Sequence, residues 1–218
     1  MNHLLFQLAD SAFPSGGFAH SAGLEAAMQA GEVEGARGLH RFAVEALWQA
    51  GRGSLPLVTA AHRDRAALAD LDERAETFLT NHVQRRASRA QGRAFLDTAA
   101  RIFPAQVGPL REQARALGLR FHHAPLFGAA LSALGAALHE SQRLHLWLTL
   151  RAIVSAAVRL GLVGTHEAQA LQSTLAPAID EVFTACAGLG PADLAQTAPL
   201  LDLFSATHDR LYSRLFQS

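Results

Sequence analysis

Leu144-His145-Leu146-Trp147-Leu148-Thr149-Leu150-Arg151-Ala152-Ile153-Val154-Ser155-Ala156-Ala157-Val158-Arg159-Leu160 is apolar almost all round when wound as a helix, with only His145, Arg151 and Arg159 interrupting it. A helix that is apolar on every side must be covered on every side, so this stretch predicts the buried helix of an all-α bundle. Upstream, Phe127, Leu131, Leu134 and Leu138 recur at helical spacing as a stripe of large side chains, with Gly128, Ser132, Gly135 and Ala136 as a small-residue face beside it. Small faces let another helix backbone approach closely. The core of a bundle is the expected use, and a dimer seam is the alternative for the small-residue face. Working outward, no segment shows sustained period-two alternation of β-branched residues, and Ala, Leu, Arg, Gln and Glu favour helix throughout. Pro14-Ser15-Gly16-Gly17, Gly31, Gly35, Gly38, Pro104, Gly108, Pro109, Gly118, Pro125, Gly161, Gly164 and Gly188 to Pro191 punctuate the chain. Between them fall about nine or ten helical segments. With no repeat, low-complexity tract or linker, residues 1–218 read as a single domain.

Composition narrows the function. Hydrophobic residues make up 50% of the 218 and charged residues only 17%, against about 25% in a typical soluble domain. Such a chain either has a generous core or covers apolar surface with partners. Nineteen acids balance nineteen bases, and every base is Arg. Without lysine there is no P-loop lysine, Schiff-base lysine or lysine general base. The neutral balance argues against nucleic acid as the main partner. Arg85, Arg86, Arg89 and Arg93 form the one local basic cluster, most of it on one helix face and read as a solvated face. Cys186 stands alone, which excludes an internal disulfide and a cysteine-based zinc site. Met1 to Ala9 has no basic region and meets Asp10 too early for a signal peptide. Phe121 to His139 carries no formal charge, but its clean apolar part, Pro125 to Leu138, would span only about 21 Å as a helix against a bilayer core of about 30 Å. A cytoplasmic protein with no membrane segment is expected.

Catalytic signals are scarce. The eleven histidines include no H-E-x-x-H pair, and adjacent His122 and His123 would point in different directions. The expectation is surface or capping histidines and no stable metal site, with transient nickel contact open because imidazole suits nickel. There is no G-x-S-x-G elbow and no prominent carboxylate pair. Ser15-Gly16-Gly17-Phe18 is too short for a phosphate loop and reads as a tight turn before a helix: Gly16 or Gly17 holds positive φ, Phe18 packs inward or onto a partner, and His20 or Ser21 caps the helix. No catalytic residue and no cofactor is expected.

The C-terminus is unusual. Pro199 is placed to open a helix with apolar positions at Leu201, Phe204, Leu211, Tyr212, Leu215 and Phe216, close to the end at Ser218, where frayed polar residues are the norm. As a helix, 199–218 would put Tyr212 and Phe216 on one face, Leu211 and Leu215 beside them, and Arg210 and Arg214 at the rim. Either this segment docks onto the chain's own body or it docks onto a partner. Docking onto a partner is the expectation.

Four stretches resemble the UreF family of urease accessory proteins. Leu5 to Glu25, with Pro14, Gly16, Gly17, Phe18, Ser21, Gly23 and Glu25, is similar to the family's opening P-x-G-G-aromatic turn followed by S-x-G-L-E. His122 to Gly128 resembles a stretch before a buried helix, and Ser155 to Gly161 followed by Gln169 resembles another. Thr207 to Ser218 is similar to a closing R-H-E-x-x-Y-S-R-L-F-x-S, with Thr207 where Arg is common and Asp209 in place of Glu. Thr165-His166 and Ala124 also depart from the family pattern. The resemblance implies an all-α homodimer that joins the accessory protein UreD (also called UreH), recruits the GTPase UreG and helps deliver nickel to the urease apoprotein as GTP is hydrolysed. The implied role is a scaffold without chemistry of its own. Two rivals remain: a GTPase-activating protein supplying an arginine to UreG, and a histidine-based metallohydrolase.

Overall fold

The computed structural model describes residues 3–218, so whatever the readings of 1–218 and of Met1 to Ala9 say of Met1 and Asn2 lies outside the described residues. The all-α expectation holds: the described residues form eleven α-helices and no strand. They are α1 (His3–Ala9), α2 (Leu24–Gln29), α3 (Gly35–Gly53), α4 (Leu55–Arg63), α5 (Leu68–Phe78), α6 (His82–Ile102), α7 (Pro104–Ala116), α8 (His123–Ala133), α9 (Leu138–Arg159), α10 (Thr165–Cys186) and α11 (Pro199–Thr207). Short 3-10 turns cover Gly17–Ala19, Arg65–Ala67, Pro191–Asp193 and His208–Arg210.

The all-round apolar stretch is most of α9, and the packing explains its pattern. One core cluster gathers Leu57, Val58, Leu71, Phe95, Leu96, Leu110, Phe127, Leu131 and Leu144 from α4 to α9. A second gathers Leu24, Leu39, Leu47, Leu146, Leu150, Ile153, Leu175 and Val182 from α2, α3, α9 and α10. Helix α9 contributes to both, and Trp147 packs against each. A helix between two cores has no side free for polar residues. Its start is fixed by Glu140, whose carboxylate accepts the Ala137 N–H at 3.0 Å. The start of α6 is fixed by Asn81, whose side-chain oxygen accepts from Val83 and Gln84, satisfying two of the amides a helix start leaves unpaired.

The stripe from Phe127 to Leu138 does not lie on one helix. Helix α8 ends at Ala133, Gly135 turns the chain, and Leu138 opens α9. Of the small-residue face, Gly128 is used inside the chain: a Cβ there would fall 2.2 Å from the Val58 carbonyl oxygen of α4. That crossing needs glycine, and it removes Gly128 as the basis of a dimer seam. Among the described residues no helix is long and apolar enough to cross a membrane.

The helix expected over 199–218 is also corrected. Helix α11 stops at Thr207, a 3-10 turn follows, and residues 211–218 are not helical. The amides of Leu215, Phe216 and Gln217 donate to Glu25 and Ala19 instead of to carbonyls one turn back. Tertiary bonds outweigh propensity, which is worth only tenths of a kcal/mol per residue.

Candidate functional site

The Pro14–Glu25 turn takes its shape from two glycines. Gly16 holds φ of 77°, and a Cβ there would lie 2.9 Å from the Ala94 Cβ on α6. Gly17 has room for a side chain, so the positive φ expected of this pair falls on Gly16. Gly23, at φ of 88°, is the N-cap of α2, and a Cβ there would sit 3.1 Å from the Ser205 amide. Neither His20 nor Ser21 caps this helix. Both are buried, and their side chains turn instead to the C-terminal tail.

The tail is bonded to the turn along its length. Ser218 accepts from the Ser21 amide at 2.6 Å and the Ser21 hydroxyl at 3.1 Å, and its own hydroxyl lies 2.5 Å from His20 Nδ1. The Gln217 amide donates to the Ala19 carbonyl at 2.8 Å. Glu25, 2% exposed, is the hub. Its carboxylate faces His208 Nε2 at 3.0 Å, the Leu215 amide at 2.6 Å and the Phe216 amide at 3.2 Å. A buried carboxylate is tolerated when several donors surround it. Burial, with the charge of Arg86 and then of His208 nearby, lowers His20 to about 4, so it is a neutral imidazole at physiological pH.

Arginines frame this knot. Arg86 on α6 grips Asp209 with both terminal nitrogens, at 2.9 and 2.7 Å, and reaches the Gln217 carbonyl. Arg214 and His82 add further contacts to Asp209. Hydrogen bonds from Arg86 hold the Asp209 carboxyl down to about 2, against an opposing push from burial. Arg159, at the end of α9, lies over two rings: Phe18 of the turn at 3.7 Å and Phe216 of the tail at 4.2 Å. It also donates to the Phe18 carbonyl.

The His122 to Gly128 stretch lies next to this region. His122 is wholly buried, 2.8 Å from Glu76 and 3.1 Å from the Ser88 hydroxyl. Phe121 sits at φ of 69°, an outlier for a bulky residue. Buried Asp72 holds it by accepting the amides on either side, Arg120 at 2.6 Å and His122 at 2.8 Å. Burial lowers His122, partly offset by its bond to Glu76. Burial pushes the Glu76 carboxyl up, but hydrogen bonds and charge from Arg89 and His122 outweigh it and hold it at about 2. Burial lowers His123 to about 4 and His145 to about 3, His20 adding to the first and His123 to the second. These histidines are interior groups with aromatic or hydrogen-bonded neighbours, not the surface or capping residues expected from sequence. Among the described residues no group of three or more His, Cys, Asp or Glu is placed to hold a metal ion.

Of the residues singled out from sequence, Gly16, Phe18, Ser21, Gly23, Glu25, Arg214 and Phe216 thus converge. Pro14 anchors the turn's outer edge, its carbonyl accepting from Thr98. Phe216, 5% exposed, is buried in the chain's own body and is not on a face with Tyr212. Tyr212 is fully exposed and Leu215 half exposed, and Arg210 lies on the surface. Leu211 is half-buried. Sequence reading missed Arg86, Arg159 and His208 as members and took His20 for a helix cap. Each lay inside a stretch already noted, but nothing local showed that residues 19–25 and 208–218 meet. The polar side chains of the site largely bond one another, although His208 Nδ1 is buried without a hydrogen-bond partner among the described residues, and the outward face sets Tyr212 and Leu215 among Arg210, Ser213, Arg214 and Gln217. Such an arrangement holds a surface in place.

The helical body from residue 33 to 176 matches the UreF family profile. Relatives extend the match over both ends. The chain is 39% identical to Urease accessory protein F of Oryza sativa subsp. indica over 217 residues, 97% of this chain and 83% of the relative. It is 37% identical to Urease accessory protein F of Arabidopsis thaliana over 98% of this chain and 91% of the relative. This chain belongs to the UreF family of urease accessory proteins. Urease accessory protein UreF of Mycobacterium tuberculosis (strain ATCC 25618 / H37Rv) is 32% identical over 99% of this chain and 98% of its own. The UreF profile spans helices α3 to α9 and part of α10, while the turn and the tail lie outside it and inside the full-length alignments.

Proposed function

We propose that this UreF-family protein is a non-catalytic cytoplasmic scaffold that bridges UreD (UreH) and the GTPase UreG during GTP-dependent assembly of the urease nickel centre. Segment 199–218 is its UreD-docking element. One observation carries this reading: the tail is fixed from within yet leaves large apolar side chains exposed among Arg210, Arg214 and Gln217. Glu25, Ser21 and His20 bind its inner edge, Phe216 is buried, and Tyr212 and Leu215 are left exposed together with Leu200 and Leu203 of α11. Tyrosine and arginine side chains such as Tyr212 and Arg214 are the usual anchors of a protein interface, and ordering them beforehand removes an entropy cost from binding. The scaffold works as a homodimer; the low charge fraction supports that, whereas Gly128 is spent inside the chain.

The test is reconstitution. The tagged chain, co-expressed with UreD- and UreG-type proteins, is expected to carry both through affinity and size-exclusion steps, and to be required for nickel-dependent activation of apo-urease. Purification of the chain alone, or activation without it, contradicts the proposal. Sedimentation at micromolar concentration is expected to give twice the chain mass of 23.3 kDa.

A further inference from the structure

The solvated basic face of α6 has more structure than its sequence suggests. His82, Arg85, Arg86 and Arg89 line one shallow depression, and Arg86 also lines the adjoining cleft with Asp209, Arg214, Phe216 and Gln217. Two carboxylates face these groups, and both are saturated. Glu76 takes Arg85 at 3.3 Å, Arg89 at 3.1 Å and His122 at 2.8 Å. Asp209 takes Arg86, Arg214 and His82. Four guanidinium groups therefore share two carboxylates, in a chain whose formal net charge is zero. Arg93, one helical turn beyond Arg89, lies over the Phe121 ring and makes no carboxylate pair among the described residues. This face therefore carries more guanidinium groups than carboxylates, and through Arg86 it adjoins the tail that displays Tyr212 and Leu215.

We infer that the strip His82, Arg85, Arg86 and Arg89 receives an acidic segment of the protein that docks on the tail, so that the apolar anchor is flanked by a charge-selecting contact. The inference rests on the docking reading above. The chemistry required of the partner is clustered Asp or Glu beside an apolar pocket. Guanidinium groups suit this role because their planar forks match carboxylates two bonds at a time. Arg85 and Arg89 are 36% and 41% exposed at the side chain, so they keep outward surface while bonded to Glu76. Exposed complementary charge acts mainly on the rate of encounter and on the choice of partner.

The experiment separates the strip from the tail. Three proteins are compared: wild type, the double variant Arg85→Gln with Arg89→Gln, and Tyr212→Ala. Glutamine can still donate to Glu76, and His122 stays bonded to it; if the double variant nevertheless melts early, Arg85→Gln alone replaces it. With a fluorescent decaglutamate peptide as probe, wild type and Tyr212→Ala are expected to bind alike, with affinity falling as salt rises, and the double variant to bind about tenfold more weakly. With the UreD-type protein, the double variant is expected to associate about tenfold more slowly at low salt and to lose most of the salt dependence. Tyr212→Ala is expected to speed dissociation instead. Peptide binding and association rates unchanged in the Arg variant overturn the inference. So does a short DNA duplex that binds the strip more tightly than the peptide. Undiminished UreD binding by Tyr212→Ala sinks the tail reading and leaves the strip to be judged by the peptide.

Discussion

Helix α9 and the tail 208–218 carry similar residues, apolar side chains with occasional arginines, yet they are ordered in opposite ways. Helix α9 is specified by its own pattern: from Leu144 on it is apolar all round because it lies between two cores, and its arginines reach neighbouring elements, Arg143 the Asp180 carboxylate of α10, Arg151 the Ala9 carbonyl and Arg159 the Phe18 carbonyl. The tail is specified from a distance. Its amides and side chains bond to residues 19 to 25 and to Arg86, up to 198 positions away. The first kind of order survives the loss of any one contact. The second rests on a few buried polar groups, and removing one leaves its partners unsatisfied.

The sharpest break between the two regions is Glu25→Ala. It strands the His208 ring and the Leu215 and Phe216 amides without their acceptor, at an expected cost of about 3 kcal/mol or more. Hydrogen exchange should rise in the tail while α9 stays protected; equal protection in the tail would refute the hub role of Glu25.

Acid acts on both regions, because His20 holds the tail and His145 lies inside α9. His20, His123 and His145 are lowered from 6.5 to about 4, 4 and 3 by burial, so the native state refuses protons that the unfolded chain accepts. Their stabilising effect is complete above pH 6.5 and is lost as pH falls from there toward 4. A drop in Tm on the order of 10 °C between neutral pH and pH 5 is expected. A melting curve flat across that range would contradict it.

The turn supplies a smaller effect. Gly16→Ala forces a side chain against Ala94 at a φ of 77° and should cost about 1–3 kcal/mol. Gly17→Ala should stay within about 0.5 kcal/mol of wild type. Matching denaturation midpoints would show that the turn does not need Gly16.

What was legible follows the same division. Periodicity exposed α9, the α8 core residues and the α6 basic face, because each is set by neighbours three and four positions away. Phe216 and Tyr212 were placed together on one helical face by that logic, and the structure separates them, one buried and one exposed. No local pattern encodes Glu25 accepting the amides that would otherwise continue the helix. Similarly, His122 and His123 looked like surface groups, because the carboxylates that hold this region, Asp72 and Glu76, lie on another helix. The opening and closing family signatures cover both partners of this knot without showing that they meet.

On the docking proposal, the tail divides into a structural inner half and a docking outer half. The direct test is the affinity of the UreD-type protein for the double variant Tyr212→Ala with Leu215→Ala, measured beside Phe216→Ala. The account predicts that the outer variant keeps the wild-type Tm and loses at least about 2 kcal/mol of binding, while Phe216→Ala loses about 3–5 kcal/mol of stability. An outer variant that binds UreD as tightly as wild type would contradict it.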